Sequence, residues 1–210
     1  MSSIVDYSEL IKSTPVHNQS ARIKRKVWER ICYQDKKRIE GAIFGDKEEV
    51  ELSRADVLSE NDTAKKIVMV LMWGYPTGGR GSNIEDILNK MDDLSSSLSR
   101  LDKKNLTKAE ANSLIKGFKG IRGLGISTWS KFLYFFGVSI DSRKCQIYDL
   151  KIVDSLNKKQ FSELGTQRWK QDVDHYYQYI ELVDDLAKQM CVLPEQVELF
   201  LFYYNLYYKF

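Results

Sequence analysis

Two glycines, a lysine and an aspartate are the residues of this chain whose types and spacing can do chemistry. Gly123 and Gly125 punctuate the run IRGLG at residues 121–125. A turn of that kind exposes bare backbone N–H groups that a phosphate can approach closely. Lys131 follows in the apolar run SKFLYFF, and Asp149 comes eighteen residues later, in front of a second apolar stretch. A lysine and a carboxylate held on one scaffold can cut a bond beside such a phosphate. Each residue also has a plainer role, Lys131 as a solvent-facing helix lysine and Asp149 as a helix N-cap. Gly-x-Gly is common in helical hairpins, so the signal lies in the four residues together.

Charge points to the same segment. Residues 116–151 carry Lys116, Lys119, Arg122, Lys131, Arg143, Lys144 and Lys151 against Asp141 and Asp149, a net of +5, whereas the whole chain is only +3. A local phosphate-binding face and a solvated lysine-rich loop both fit that excess.

These groups need elements to position them. The stripe Ile23, Val27, Ile31 predicts a helix over Arg22–Phe44. Asn61 or Asp62 can cap a helix through the apolar run Ile67–Trp73 that stops at Gly74. The glycine-rich loop Tyr75–Asn83, YPTGGRGSN, follows. Ser82 or Asn83 can cap a helix through Met91, and the serines Ser95–Ser97 read as a polar connection. Thr107 and Glu110 form a capping box for a helix reaching Gly117. Further helices are predicted at Ser127–Phe136, at Leu150–Leu156 behind Asp149, at Trp169–Met190, and from Pro194 onward. No segment reads as a strand. The expectation is an all-α fold of about eight to ten helices with short connections. A helical region over 1–60 precedes a core over 61–210 with its hairpin at 114–136, together one compact unit.

A chain of 210 residues can bury a sizeable core. No apolar run is long enough to span a bilayer and the N-terminus lacks a signal-peptide core, so a cytoplasmic monomer is expected. Cys32, Cys145 and Cys191 are far apart and odd in number, and His17 and His175 are isolated. No side-chain metal site is expected.

Taken together, IRGLG, the lysine helix SKFLYFF and Ile147-Tyr148-Asp149 resemble the helix–hairpin–helix DNA glycosylase superfamily. WGYPTGGRG at 73–81 and QVELFLF at 196–202 resemble its prokaryotic 8-oxoguanine-glycosylase-like branch. The likeness spans roughly residues 60–205. It implies two interleaved helical subdomains with an active-site cleft between them. It also implies double-stranded DNA with a damaged or modified base as partner, 8-oxoguanine by default. Gly123, Leu124, Gly125 and Ser127 would hold a DNA phosphate, and Asp149 would stabilise the positive charge on the sugar as the base leaves. Lys131, as a neutral amine, would attack the sugar and form a Schiff base. In the best-known members the lysine lies two residues past the second hairpin glycine, a position held here by Ser127. Lys131 is one helical turn further on the same face. If Ser127 holds the position, the likeness is to monofunctional members. No cofactor is implied beyond a monovalent cation on hairpin carbonyls.

Such enzymes turn the target base out of the duplex. Trp73 and Tyr75 can stack on a base or fill the gap it leaves, and Arg80 can contact the orphaned partner base. Gln196 and Phe200, spaced i, i+4, match a base-contacting pair of 8-oxoguanine glycosylases. Three alternatives stand beside this: a non-catalytic hairpin DNA-binding module, a glycosylase acting on modified phage bases in defence, and a helical interaction protein.

Overall fold

The protein is described here by a computed structural model covering residues 2–207. Met1 and residues 208–210, the outer limits of the two predicted segments, lie outside the described residues. Twelve α-helices are present among those residues. They are α1 (Ser8–Lys12), α2 (Arg25–Trp28), α3 (Lys36–Phe44), α4 (Arg54–Ser59), α5 (Thr63–Gly74) and α6 (Asn83–Leu88). The second half adds α7 (Met91–Ser99), α8 (Lys108–Gly117), α9 (Ile126–Phe135), α10 (Leu150–Asn157), α11 (Val173–Met190) and α12 (Pro194–Tyr207). No helix among the described residues is long and apolar enough to cross a membrane.

The fold is mostly helical, as the sequence predicts, with two small sheets that it does not. β1 (Ser20–Lys24) pairs antiparallel with β2 (Glu49–Ser53). This replaces the start of the helix expected over Arg22–Phe44, and the rest of that segment splits into α2 and α3. Charge explains the outcome. In a helix, Arg22 and Lys26 would repel at i, i+4. In the ladder, Arg22 faces Glu51 and Lys24 faces Glu49, and opposite charges across a strand pair stabilise it. Ile23 still reaches the core. The serines Ser95–Ser97 are a second departure, lying inside α7, where Leu94 and Leu98 anchor the helix to the core.

The second sheet braces the hairpin. β3 (Asn105–Leu106) enters α8 and pairs parallel with β4 (Ser139–Ile140), which leaves α9; β5 (Arg143–Lys144) pairs with β4 on its other edge. The two helices of the hairpin are thus clamped at their open end, and the loop at residues 118–125 is free to face outward. Behind it, α5 packs on α9 and α10 on α12. Every residue from Lys66 to Met72 is buried, so α5 is the central rod of the core.

Candidate active site

The main cavity, of about 460 Å³, lies between the glycine-rich loop after α5, the α8–α9 hairpin and the start of α10. Lys131 enters it from α9. Its side chain passes directly over Gly74, where a Cβ would sit 2.7 Å from Lys131 Cδ and 3.0 Å from Cε. The bare backbone at the end of α5 is therefore what leaves room for the lysine shaft. The ammonium donates to Ser127 O at 3.1 Å and Ser127 Oγ at 3.2 Å, and it lies 5.4 Å from the centre of the Tyr75 ring. Only 3% of Lys131 is exposed.

Asp149 is the N-cap of α10. Its Oδ1 accepts from Lys151 N at 3.0 Å and Ile152 N at 3.2 Å. The cap fixes the carboxylate at the mouth of the cavity, leaving it half-buried. A single buried bond sets its distance from the lysine helix: Tyr148 N donates to Ser130 Oγ at 2.9 Å. Ser130 adjoins Lys131 and Tyr148 adjoins Asp149, so the lysine and the aspartate are tied through their neighbours.

In the hairpin, Gly123 has φ +82°, and a Cβ there would lie 2.6 Å from Asn83 Cβ. It must be glycine, both for its left-handed backbone and for the approach of α6. Gly125 corrects an expectation. Its φ is −84°, so it needs no special torsion, and a Cβ would meet nothing within 4 Å. What it supplies is an uncapped start: as N-cap of α9 it offers no side chain to the first amides. Thr128 N and Trp129 N donate to Gly125 O at 3.0 Å, which leaves the two amides before them, at the positive end of the helix dipole, for an outside acceptor. Thr128 joins hairpin to loop, its Oγ1 donating to Gly123 O at 2.7 Å and lying 2.7 Å from Tyr75 Oη.

A second cavity of about 370 Å³ shares Gly74, Lys131, Asp149 and Lys151 with the first and runs inward between Trp73, Phe202 and Ile147. Arg54 and Glu198 lie at its far side, both fully buried, with Arg54 Nη2 2.7 Å from Glu198 Oε2. Arg54 Nε donates to Gln19 Oε1 at 2.6 Å. The guanidinium also lies 5.3 Å from the Trp73 ring and 5.1 Å from the Tyr134 ring. Burial pushes the Glu198 carboxyl up to about 7 against the opposing pull of Arg54, with the Asp149 charge raising it further and Lys131 lowering it. A buried ion pair of this kind is costly unless its remaining lone pairs and protons are satisfied. Here Tyr134 adds a side-chain hydrogen bond to Arg54.

Of the residues singled out from sequence, Lys131, Asp149, Gly123, Ser127, Tyr75 and Arg80 wall the main cavity. Trp73 belongs to the second one, its Nε1 donating to Gln19 O at 3.3 Å. Leu124 is buried beneath the turn. Gln196 and Phe200 lie elsewhere, which corrects their reading as base contacts. Gln196 Nε2 donates to Lys12 O at 2.6 Å, stitching α12 to the end of α1. Phe200 packs in an aromatic cluster with Tyr7, Phe161 and Tyr204. The i, i+4 pair of α12 that reaches a cavity is Glu198 and Phe202. The sequence signal for Glu198 was a carboxylate inside the apolar run VELFLF. Gln19 and Arg54 carried none, because they come from segments far from every motif. No group of three His, Cys, Asp or Glu side chains converges as a metal site among the described residues.

A family-level comparison matches residues 14–202 to the family described as "Putative 8-oxoguanine DNA glycosylase OGG-like protein". No curated protein and no solved structure matches the chain.

Proposed function

The chain belongs to the 8-oxoguanine DNA glycosylase OGG-like family, and from that membership and the site geometry we propose that it releases an oxidised purine from duplex DNA and forms a Schiff base with the remaining sugar. The observation that carries this reading is one cavity walled jointly by Lys131, Asp149 and the hairpin residue Gly123.

The outward amides of α9 take a backbone phosphate. This places the neighbouring sugar over Lys131 and Asp149. As the base departs, positive charge grows on the sugar, and the Asp149 carboxylate stabilises it electrostatically. Lys131 gives up a proton, and its free amine bonds to C1′ while the bond from C1′ to the base nitrogen breaks. The base leaves with that electron pair and takes a proton. The sugar ring opens, the lysine nitrogen loses its second proton, and a Schiff base to C1′ forms that permits strand cleavage by elimination. Arg80 and Tyr75, on the loop side of the cavity, face the duplex left behind. A monovalent cation on hairpin carbonyls would serve the phosphate grip rather than the bond-breaking.

The test is borohydride trapping on a duplex containing 8-oxoguanine. The wild-type chain should be trapped covalently and Lys131→Gln should not. A normal trapped yield from the variant would overturn the lysine assignment.

A further inference from the structure

α5 ends in two consecutive residues that both meet Lys131. Gly74 leaves room for its shaft, and the ammonium lies over the Tyr75 ring, 5.4 Å from its centre. Such a contact matters here because Lys131 is buried and makes no ion pair among the described residues. Ser127 O and Oγ accept two of the three ammonium N–H groups. The rest of the charge meets the ring, whose face carries negative potential and attracts a cation within about 6 Å.

The ring is held at both ends. At the backbone, Tyr75 N donates to Leu71 O and Tyr75 O accepts from Gly78 N, each at 2.8 Å. At the far end its hydroxyl lies 2.7 Å from Thr128 Oγ1. Thr128 Oγ1 already gives its one hydrogen to Gly123 O, so Tyr75 Oη is the donor of that pair. A chain of hydrogen bonds thus runs from the ring to a carbonyl of the hairpin. Its middle member, Thr128, is buried on α9 together with Lys131. Ring, lysine and hairpin are therefore one connected unit. A shift of Gly123 O pulls on Thr128, Thr128 pulls on the ring, and the ring is the surface on which the ammonium rests.

We infer that Tyr75 is a positioning residue for the Schiff-base lysine: its ring, strung between the end of α5 and the hairpin, fixes the place where the Lys131 nitrogen waits. Ser127 holds the same nitrogen from within α9. This rests on the glycosylase reading above and adds to it a role for Tyr75 that needs neither a base nor a duplex.

The experiment uses an oligonucleotide with one abasic site, single-stranded and paired, and follows borohydride trapping of the full chain at saturating DNA. The single strand has no base to turn out and no gap to fill, so it isolates the lysine. Tyr75→Leu removes ring and hydroxyl and should slow trapping about 10²-fold on both forms, as misplacement by about 1 Å does. Tyr75→Phe keeps the ring face and loses only the bond to Thr128. It should recover most of the rate and stay about fivefold slow. The DNA concentration giving half the maximal rate should match wild type in both variants, because the loss falls on the bonding step and not on DNA binding. A wild-type rate for Tyr75→Leu on the single strand, a loss confined to the duplex, or a Tyr75→Phe as slow as Tyr75→Leu would overturn the inference while leaving the Schiff-base reading intact. Should Tyr75→Leu fail to fold, Tyr75→Phe and Thr128→Val decide. Both break the same bond, so each should be slowed on the single strand and their combined cost should fall short of the product of the two. Wild-type rates in both, or costs that multiply in full, would overturn it. A wild-type chain trapped on neither form would remove the Schiff-base reading and this inference with it.

Discussion

The two cavities share Lys131 and Asp149 but are walled by different materials. The outer one is formed by the glycine-rich loop, the hairpin and the start of α10, with Tyr75, Gly79, Arg80 and Gly123 among its residues. The inner one draws on distant segments, with the half-buried Gln19 and Trp73 and the fully buried Arg54 and Glu198. Lys131 and Asp149 sit on the boundary between the two, where Gly74, Pro76 and Lys151 also line both.

That division can be probed at three strengths. The largest effect is expected at the boundary itself. Asp149→Asn keeps a good N-cap for α10, so folding and DNA affinity should hold, while base release falls by about 10³-fold with the lost charge. Single-turnover release and a binding titration on the same preparation check both halves. A next, smaller effect is expected from the wall the two cavities share. Gly74→Ala places a Cβ 2.7 Å from Lys131 Cδ and should cost about 10²-fold in Schiff-base formation, as misplacement by about 1 Å commonly does. Borohydride trapping checks it; a trapped yield equal to wild type would show that the lysine does not depend on the bare backbone at Gly74.

The smallest effect concerns the inner wall and stability alone. The folded chain holds the Glu198 proton up to about pH 7, whereas the unfolded chain releases it near the ordinary glutamate value of 4.5. The stability from that proton is full below pH 4.5 and is lost as pH rises to about 7. Glu198→Gln has no such proton, so its melting temperature should gain on wild type across this window. A gain of about 2–4 °C corresponds to 1 kcal/mol in a chain of this size. A difference that stays flat with pH would contradict the burial-driven shift.

The same contrast explains what could be read from the sequence. Caps, periodic apolar stripes and glycine spacing are local signals, and they locate α5, α8, α9, α10 and α12; Tyr75, Arg80, Gly123, Ser127, Lys131 and Asp149 of the outer cavity stand in or beside the motifs they mark. The β1–β2 pair was missed because it depends on Arg22 and Lys24 meeting Glu51 and Glu49 across a separation of more than twenty residues. The inner cavity was missed for the same reason. Gln196 and Phe200 match the family's pair in residue type and spacing, but only the packing of α12 determines which face looks inward, and that face presents Glu198 and Phe202.

The bond between Ser130 and Tyr148 has a consequence of its own. Position along α9 is a measure of length: each residue advances about 1.5 Å and turns about 100°. Lys131 stands five residues past Ile126, the first residue of α9, so about 7.5 Å of helix separates the start of the helix from the Lys131 backbone, and its ammonium reaches back to Ser127. The Ser130 hydroxyl then fixes Asp149 to the same scale. In the proposed reaction this spacing is a ruler, graduated from phosphate to sugar. One residue inserted between 126 and 131 would leave every side chain present and the measurement wrong.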